Sequence, residues 1–296
     1  MAHVVVRGLA AGLLCGLIGV LRPGPAQAAA PDGSGAARVV TLAPHLTEII
    51  YAAGAGDKLV ATVTSSDYPA AARALPRIGS GIHVNVERII ALRPDLIAAW
   101  MPSGAAQTLA PSAGTLQIPL IYSRPVRLDD IPAEILRFGR LLGTEPAAAA
   151  AAGELRRRLR ALREQYAQRP PVSVFIEVGT NPLYTIGHDP LLADALRVCG
   201  AVNVYDASAL PAPQVSAESV LIARPDMVIV SPRGPAGLEQ RVGHWTDLKL
   251  DAALRRQVYA IDPDEMFRPG PRLIDATEKL CRDADLVRRN HGDGKQ

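Results

Sequence analysis

Val86-Glu87-Arg88-Ile89-Ile90-Ala91-Leu92-Arg93-Pro94-Asp95-Leu96-Ile97 and Ala217-Glu218-Ser219-Val220-Leu221-Ile222-Ala223-Arg224-Pro225-Asp226-Met227-Val228 are two versions of one pattern. The glutamates and both Arg-Pro-Asp triplets keep a single offset of 131 positions, 87 to 218 and 93 to 224. Each copy reads as a helix stopped by proline, a turn, and an apolar run that supplies a buried strand. Two copies suit paired lobes, because a solenoid needs at least three repeats to bury its core.

Working outward from the first copy, 39–42 is a β-type run closed by Ala43-Pro44, and 46–53 has helical spacing that ends at Gly54. Strands are expected at 59–63, 96–100 and 119–122, with a short helix at 86–92. Around the second copy, 172–178 is strand-like, and Pro182, Gly187 and Pro190 mark a loop before a helix at 191–198. Strands at 227–230 and 257–261 follow, and a closing helix at 271–287 carries Cys281 back toward Cys199. Strands alternating with helices imply a mainly parallel sheet in an α/β fold. Between the lobes, 128–142 is helical and stops at Gly143. Thr144 then caps a long connecting helix that tolerates Pro146 in its first turn and ends at Pro170-Pro171. Such a helix resists bending, so the lobes hold a fairly fixed relative orientation; the alternative is an ordinary surface helix within one domain, which also explains the Arg-rich face of Arg156, Arg157, Arg160 and Arg163. The expected organisation is a signal peptide at 1–28, a flexible segment at 29–37, an N-terminal lobe at 38–143, the connecting helix at 144–170 and a C-terminal lobe at 171–290.

The chain has 296 residues, 48% of them hydrophobic and 21% charged, which excludes disordered, collagenous and disulfide-dense classes. A formal net charge of +3 is too small for a nucleic-acid footprint. The N-terminus carries Arg7, an apolar stretch over 9–21 and a small-residue site at Ala26-Gln27-Ala28, the layout of a secretory signal with a mature start near Ala29. A membrane anchor needs about 20 apolar residues, and this stretch is shorter. Cys15 follows Leu14, where a lipoprotein signal requires a small residue. Cleavage removes Arg7, Arg22 and Cys15, leaving a net charge of +1 and the pair Cys199 and Cys281. In an oxidising compartment one disulfide is expected, with two buried thiols as the alternative.

No phosphate loop, nucleophile elbow, zinc-ligand cysteine motif or His-Glu-x-x-His helix is present, so no catalytic residue and no resident metal site is assigned. Asp129-Asp130, Asp262 and Asp264 suit helix caps and turns. Aromatic side chains are scarce, yet Tyr68, Trp100, Tyr184 and Phe267 all fall where strands give way to loops. Loops leaving the carboxyl ends of parallel strands face the crevice where such sheets bind ligands, and four aromatics there favour a flat, largely apolar one. His45, His83 and His188 also lie in such loops, where imidazole either makes an ordinary hydrogen bond or ligates haem iron or another metal.

Arg38-Val39-Val40-Thr41-Leu42-Ala43-Pro44, Thr47-Glu48, Ser66-Asp67-Tyr68-Pro69, Asn85-Val86-Glu87-Arg88-Ile89 and the run from Leu92 to Trp100 resemble the periplasmic cobalamin-binding proteins of ABC importers. Asn181-Pro182, Val198-Cys199-Gly200, Asn203-Val204, Pro213-Gln214-Val215-Ser216 and Pro271-Arg272 continue the resemblance in order, so it covers about 38–287. The resemblance implies two Rossmann-like lobes on a helical backbone, a ligand held between them with little lobe closure, and no catalysis. It implies that Glu87 and Glu218 dock onto arginines of a permease dimer, and that Cys199 and Cys281 form the family's disulfide. Tyr68, Trp100, Tyr184 and Asp264 stand where the family has cleft aromatic and acidic groups, whereas the positions of two further cleft tryptophans fall near Gly81 and Ala212. The expected function is a monomeric periplasmic receptor that needs no cofactor and carries cobalamin or a related corrinoid. Haem or a ferric siderophore, contacted through His45 and His83, is the alternative, and an exported enzyme the different class.

Overall fold

The computed structural model describes residues 35–232 and 234–293. The expected signal peptide (1–28) with Cys15, and 29–34 of the expected flexible segment, lie outside the described residues. The end of that segment is not loose. Ala36 N–H donates to Leu141 O (3.1 Å) and Ala37 N–H to Asp95 Oδ2 (2.8 Å), which ties the chain down before Arg38.

The first lobe runs β1 (Val39–Thr41), α1 (Pro44–Ala52), β2 (Leu59–Ala61), α2 (Val86–Ala91), β3 (Leu96–Ala99), α3 (Ala105–Thr115), β4 (Leu120–Tyr122) and α4 (Asp130–Leu142). Its sheet is wholly parallel in the order β2-β1-β3-β4. After α5 (Glu145–Tyr166) the second lobe runs β5 (Val172–Thr180), β6 (Leu183–Thr185), α6 (Pro190–Val198), β7 (Ala201–Asn203), α7 (Ala217–Ala223), β8 (Met227–Val230), α8 (Gly234–Asp247), α9 (Asp251–Leu254), β9 (Val258–Ala260), α10 (Pro263–Met266) and α11 (Arg272–Asp293). Here β5 is central: β8 and then β9 lie parallel on one side, and on the other β7 pairs with its start while β6 pairs antiparallel with its end.

Strand alternation explains the layers, because successive side chains leave opposite faces of a sheet. Val39, Leu96 and Ala98 of the first sheet, and Val172, Val174, Ile176, Met227 and Ile229 of the second, enter one core. That core also takes the buried stripe Ala148, Ala152, Leu155, Leu159, Leu162 and Tyr166 of α5, so the lobes share a single apolar interior. Val40, Ile97 and Ala99 face a separate outer cluster, as Phe175, Val228 and Val230 do in the second lobe. Helices α4 and α5 meet at Gly139, where a Cβ would stand 2.3 Å from the Ala148 methyl. Cys199, after α6, and Cys281, in α11, are disulfide-bonded with their Cα atoms 4.5 Å apart.

The repeated Arg-Pro-Asp turns have one geometry. Arg93 and Arg224 both adopt the left-handed region, at φ 48° and 47°, so each helix is closed before its proline rather than by it. The aspartate then clamps the start of the central strand: Asp95 accepts from Ala37 and Arg38 N–H (2.8 and 2.9 Å), Asp226 from Ser173 N–H and Oγ–H (2.9 and 2.6 Å).

Several local expectations are corrected. Helix α3, where the sequence reading assigns no element, forms despite Pro111 in its interior, because Ala105, Ala106, Leu109 and Ala113 bury one face against the outer core. The expected loop at 182–190 contains β6, in register as Glu177↔Thr185 and Thr180↔Leu183. Thr144 makes no capping hydrogen bond, and its hydroxyl is buried without a partner.

Candidate functional site

The segments that follow β3 and β4 in the first lobe and β6 and α10 in the second line one cleft. Trp100 follows β3 directly, and with Met101 and Val126 it forms the first-lobe wall; Ile186, Leu191 and Phe267 form the second. This mainly apolar cleft encloses about 200 Å³. Beyond Trp100 and Met101 lies a second concavity of about 260 Å³, walled by Pro44, Gly81, Ile82 and Ala105. The two hollows share Trp100 and Met101, so the indole, 43% exposed, stands as a ridge between them.

His45 supports that ridge and is not in the cleft. It is 2% exposed, its ring meets the indole edge to face at 5.7 Å, and its Nε2 lies 3.4 Å from Ser123 O. Burial, with a smaller push from Arg268, lowers its pKa to about 4, so the imidazole is neutral. His45 therefore does not offer the open axial ligand that its place in the sequence suggested. His83 is exposed in a turn whose backbone N–H donates to Ser80 Oγ, outside the residues lining either hollow. His188 sits 3.1 Å from Asp206. Among the described residues no group of three or more His, Cys, Asp or Glu side chains is placed to hold a metal ion.

Tyr68 and Asp264 are brought together by arginines that sequence reasoning left without a role. The Arg272 guanidinium lies over the Tyr68 ring at 4.3 Å and donates to both oxygens of Glu48 (3.1 and 2.7 Å). Arg268 reaches Asp67 at 2.7 Å and Asp264 at 2.6 Å. Glu48 and Asp67 belong to the first lobe and the arginines to the second, so this cluster bridges the lobes at the cleft. Burial pushes the Glu48 carboxyl up against the opposing pull of Arg272 and Arg268. Burial alone would raise Asp67 too, but the Arg268 hydrogen bond and charge hold it below the usual carboxylate range. Glu48, Asp67 and Arg272 fall in stretches that carry the family resemblance, but no feature of the sequence paired them across the lobes. Tyr184 stands apart on the β6 hairpin, packed over Gly179, where a Cβ would lie 3.2 Å from its ring.

Glu87 and Glu218 occupy the first turns of α2 and α7, each after a side-chain cap. Asn85 Oδ1 accepts from Arg88 N–H (2.8 Å) and Ser216 Oγ from Ser219 N–H (3.2 Å). Both glutamates are exposed. Its own backbone N–H and the Ser216 hydroxyl hold the Glu218 carboxyl below its ordinary pKa.

Comparison with known proteins agrees with this arrangement. The sequence pattern of the family described as periplasmic binding protein matches residues 39–265. The vitamin B12-binding protein of Yersinia pestis (strain Pestoides F) is 36% identical over 258 residues, 87% of each chain. The crystal structure of the periplasmic vitamin B12 binding protein of Vibrio cholerae superposes with a TM-score of 0.78 at 34% identity, covering 86% of this chain and 99% of that one. The periplasmic heme-binding protein of Roseiflexus sp. RS-1, in its apo form, gives 0.71 at 27% identity, covering 86% and 99%. These relatives are binding proteins by name, and the two solved structures share the fold of this chain. This chain belongs to the periplasmic binding protein family, as a substrate-binding protein and not an enzyme.

Proposed function

We propose that the protein is exported through a signal peptide cleaved near Ala29, binds cobalamin or a related corrinoid as a monomer in the cleft at Trp100, and delivers it to the permease dimer of an ABC importer. The observation that carries the ligand is the ridge of Trp100 between two apolar hollows, a surface suited to a broad, flat ring system and too wide for a small polar solute. Identity of 36% to a vitamin B12-binding protein supports the same reading. Phe267 lines the cleft opposite Trp100, and Tyr68 and Asp264 lie beside it in the arginine bridge, while Tyr184, on the hairpin, is outside the lining. The corrinoid is cargo, and the protein needs no resident cofactor.

Haem or a ferric siderophore is the second reading, favoured by the Roseiflexus relative. Against it, His45 is buried behind the indole and neither His45 nor His83 lines either hollow. Calorimetric titration with cobalamin and with haem separates the two. Tight haem binding lost on His45→Ala, with cobalamin ignored, would overturn the corrinoid assignment.

Glu87 and Glu218 are the docking pair for the permease, one on each lobe at equivalent helix positions. Reversing both charges should abolish uptake while cobalamin affinity is kept, since both lie outside the cleft. Undiminished transport by the double variant would remove that role. Mass spectrometry of the periplasmic protein checks cleavage near Ala29.

A further inference from the structure

We infer that the permease-docking surface extends from the two glutamates to Ile222, an apolar anchor that the second lobe presents and the first lacks. The inference rests on the docking role given above to Glu87 and Glu218. Helices α2 and α7 repeat one burial pattern: Ile89 and Val220 are buried, while Glu87, Ala91, Glu218 and Ile222 are exposed. Four residues separate each glutamate from the second exposed position, which puts both on one helix face a turn apart. At that position the first lobe has Ala91 and the second has Ile222, 81% exposed and the most exposed large apolar side chain of the described residues.

A single exposed isoleucine is ordinary on a protein surface. This one stands beside Glu218, and the counterpart helix of the other lobe carries Glu87; among the described residues neither carboxylate is in a salt bridge. A partner that satisfies both glutamates presents two matching basic groups, as two copies of one permease subunit do. Each copy then also offers whatever adjoins its basic group, and on one side it meets an isoleucine while on the other it meets a methyl. The grip on the two copies is therefore unequal, whichever way round the protein lands.

The test is docking of the full-length mature protein to the permease with its ATPase subunits in nanodiscs, read by surface plasmon resonance beside calorimetric cobalamin titration. Ile222→Ser is expected to weaken docking by about tenfold to a hundredfold, the range for withdrawing a buried isoleucine from an interface. Ala91→Ser should change it by no more than about twofold, since little apolar surface is lost. Leu254→Ser, an exposed leucine on α9, controls for loss of surface apolarity in general and should dock normally. Cobalamin affinity and melting temperature should hold in all three. Docking by Ile222→Ser at wild-type strength, while charge reversal of Glu87 and Glu218 still abolishes it, overturns the inference alone. Equal losses from Ile222→Ser and Ala91→Ser also overturn it, because the grip would then be symmetric. If charge reversal leaves docking intact, the docking role of the glutamates falls with it.

Discussion

Near the carboxyl ends of β1 and β5, each flanked by strands on both sides, the two lobes bury polar groups of opposite chemistry. In the first lobe Thr41, Thr47, Thr62 and Ser66 form a buried ring of hydroxyls, with contacts of 2.6 to 3.1 Å. In the second, Glu177 alone accepts from Arg241 Nε and Nη2 (2.5 and 2.8 Å) and from Trp245 Nε1 (2.7 Å). Trp245 is fully buried, packed edge-on against Phe175, so the carboxylate fastens α8 to the sheet. A repeated backbone thus does not require a repeated interior. The neutral ring is redundant, since each hydroxyl has alternative partners, whereas the charged site depends on one group.

The contrast is broken most severely at that one group. Glu177→Ala leaves a guanidinium and an indole N–H buried without an acceptor, and unfolding in urea should show a loss of about 3 to 5 kcal/mol. A loss below about 1 kcal/mol would mean that the two polar centres are equally tolerant.

The first lobe has its own buried ionisable group in His45, and acid should expose it. The unfolded imidazole takes a proton near 6.5 and the folded one only near 4, so between those values the unfolded chain binds more protons and stability falls as pH falls. The folded pKa is the depressed one, so this contribution is fully present above 6.5. It amounts to about 3 kcal/mol at one pKa unit per 1.4 kcal/mol. His45→Leu should flatten the melting temperature over that window relative to wild type, and an unchanged pH slope would show that the imidazole is not buried in solution.

The lobes also differ where β3 and β8 end, with Trp100 in the first and Ser231 in the second. Trp100→Ala should weaken cobalamin binding by about 1 to 3 kcal/mol in a calorimetric titration. If the indole only packs the sheet end, the melting temperature should drop instead and affinity should follow only the unfolded fraction. The smallest effect belongs to the hydroxyl ring: Thr41→Val should cost about 1 kcal/mol, because Thr47, Thr62 and Ser66 still satisfy one another. A cost matching that of Glu177→Ala would end the claim of redundancy.

The paired lobes were legible in the sequence because each signal was local. Periodicity, the prolines of the Arg-Pro-Asp turns, Gly143 closing α4 and an even pair of cysteines all act over a few residues or by simple parity. The aromatic positions at strand ends were legible for the same reason. Tertiary structure decided the rest. Helix α3 carries Pro111, and β6 follows Asn181-Pro182, so local propensity pointed away from both; burial against a core and pairing with β5 overrode it. That His45 would be shut in behind Trp100 depended on the loop after β4, 78 positions away. The bridge of Glu48 and Asp67 with Arg268 and Arg272 joins residues more than 200 positions apart, and no spacing rule connects them. Charges so distant become partners only when a shared core brings the lobes together and removes the water that would otherwise screen them.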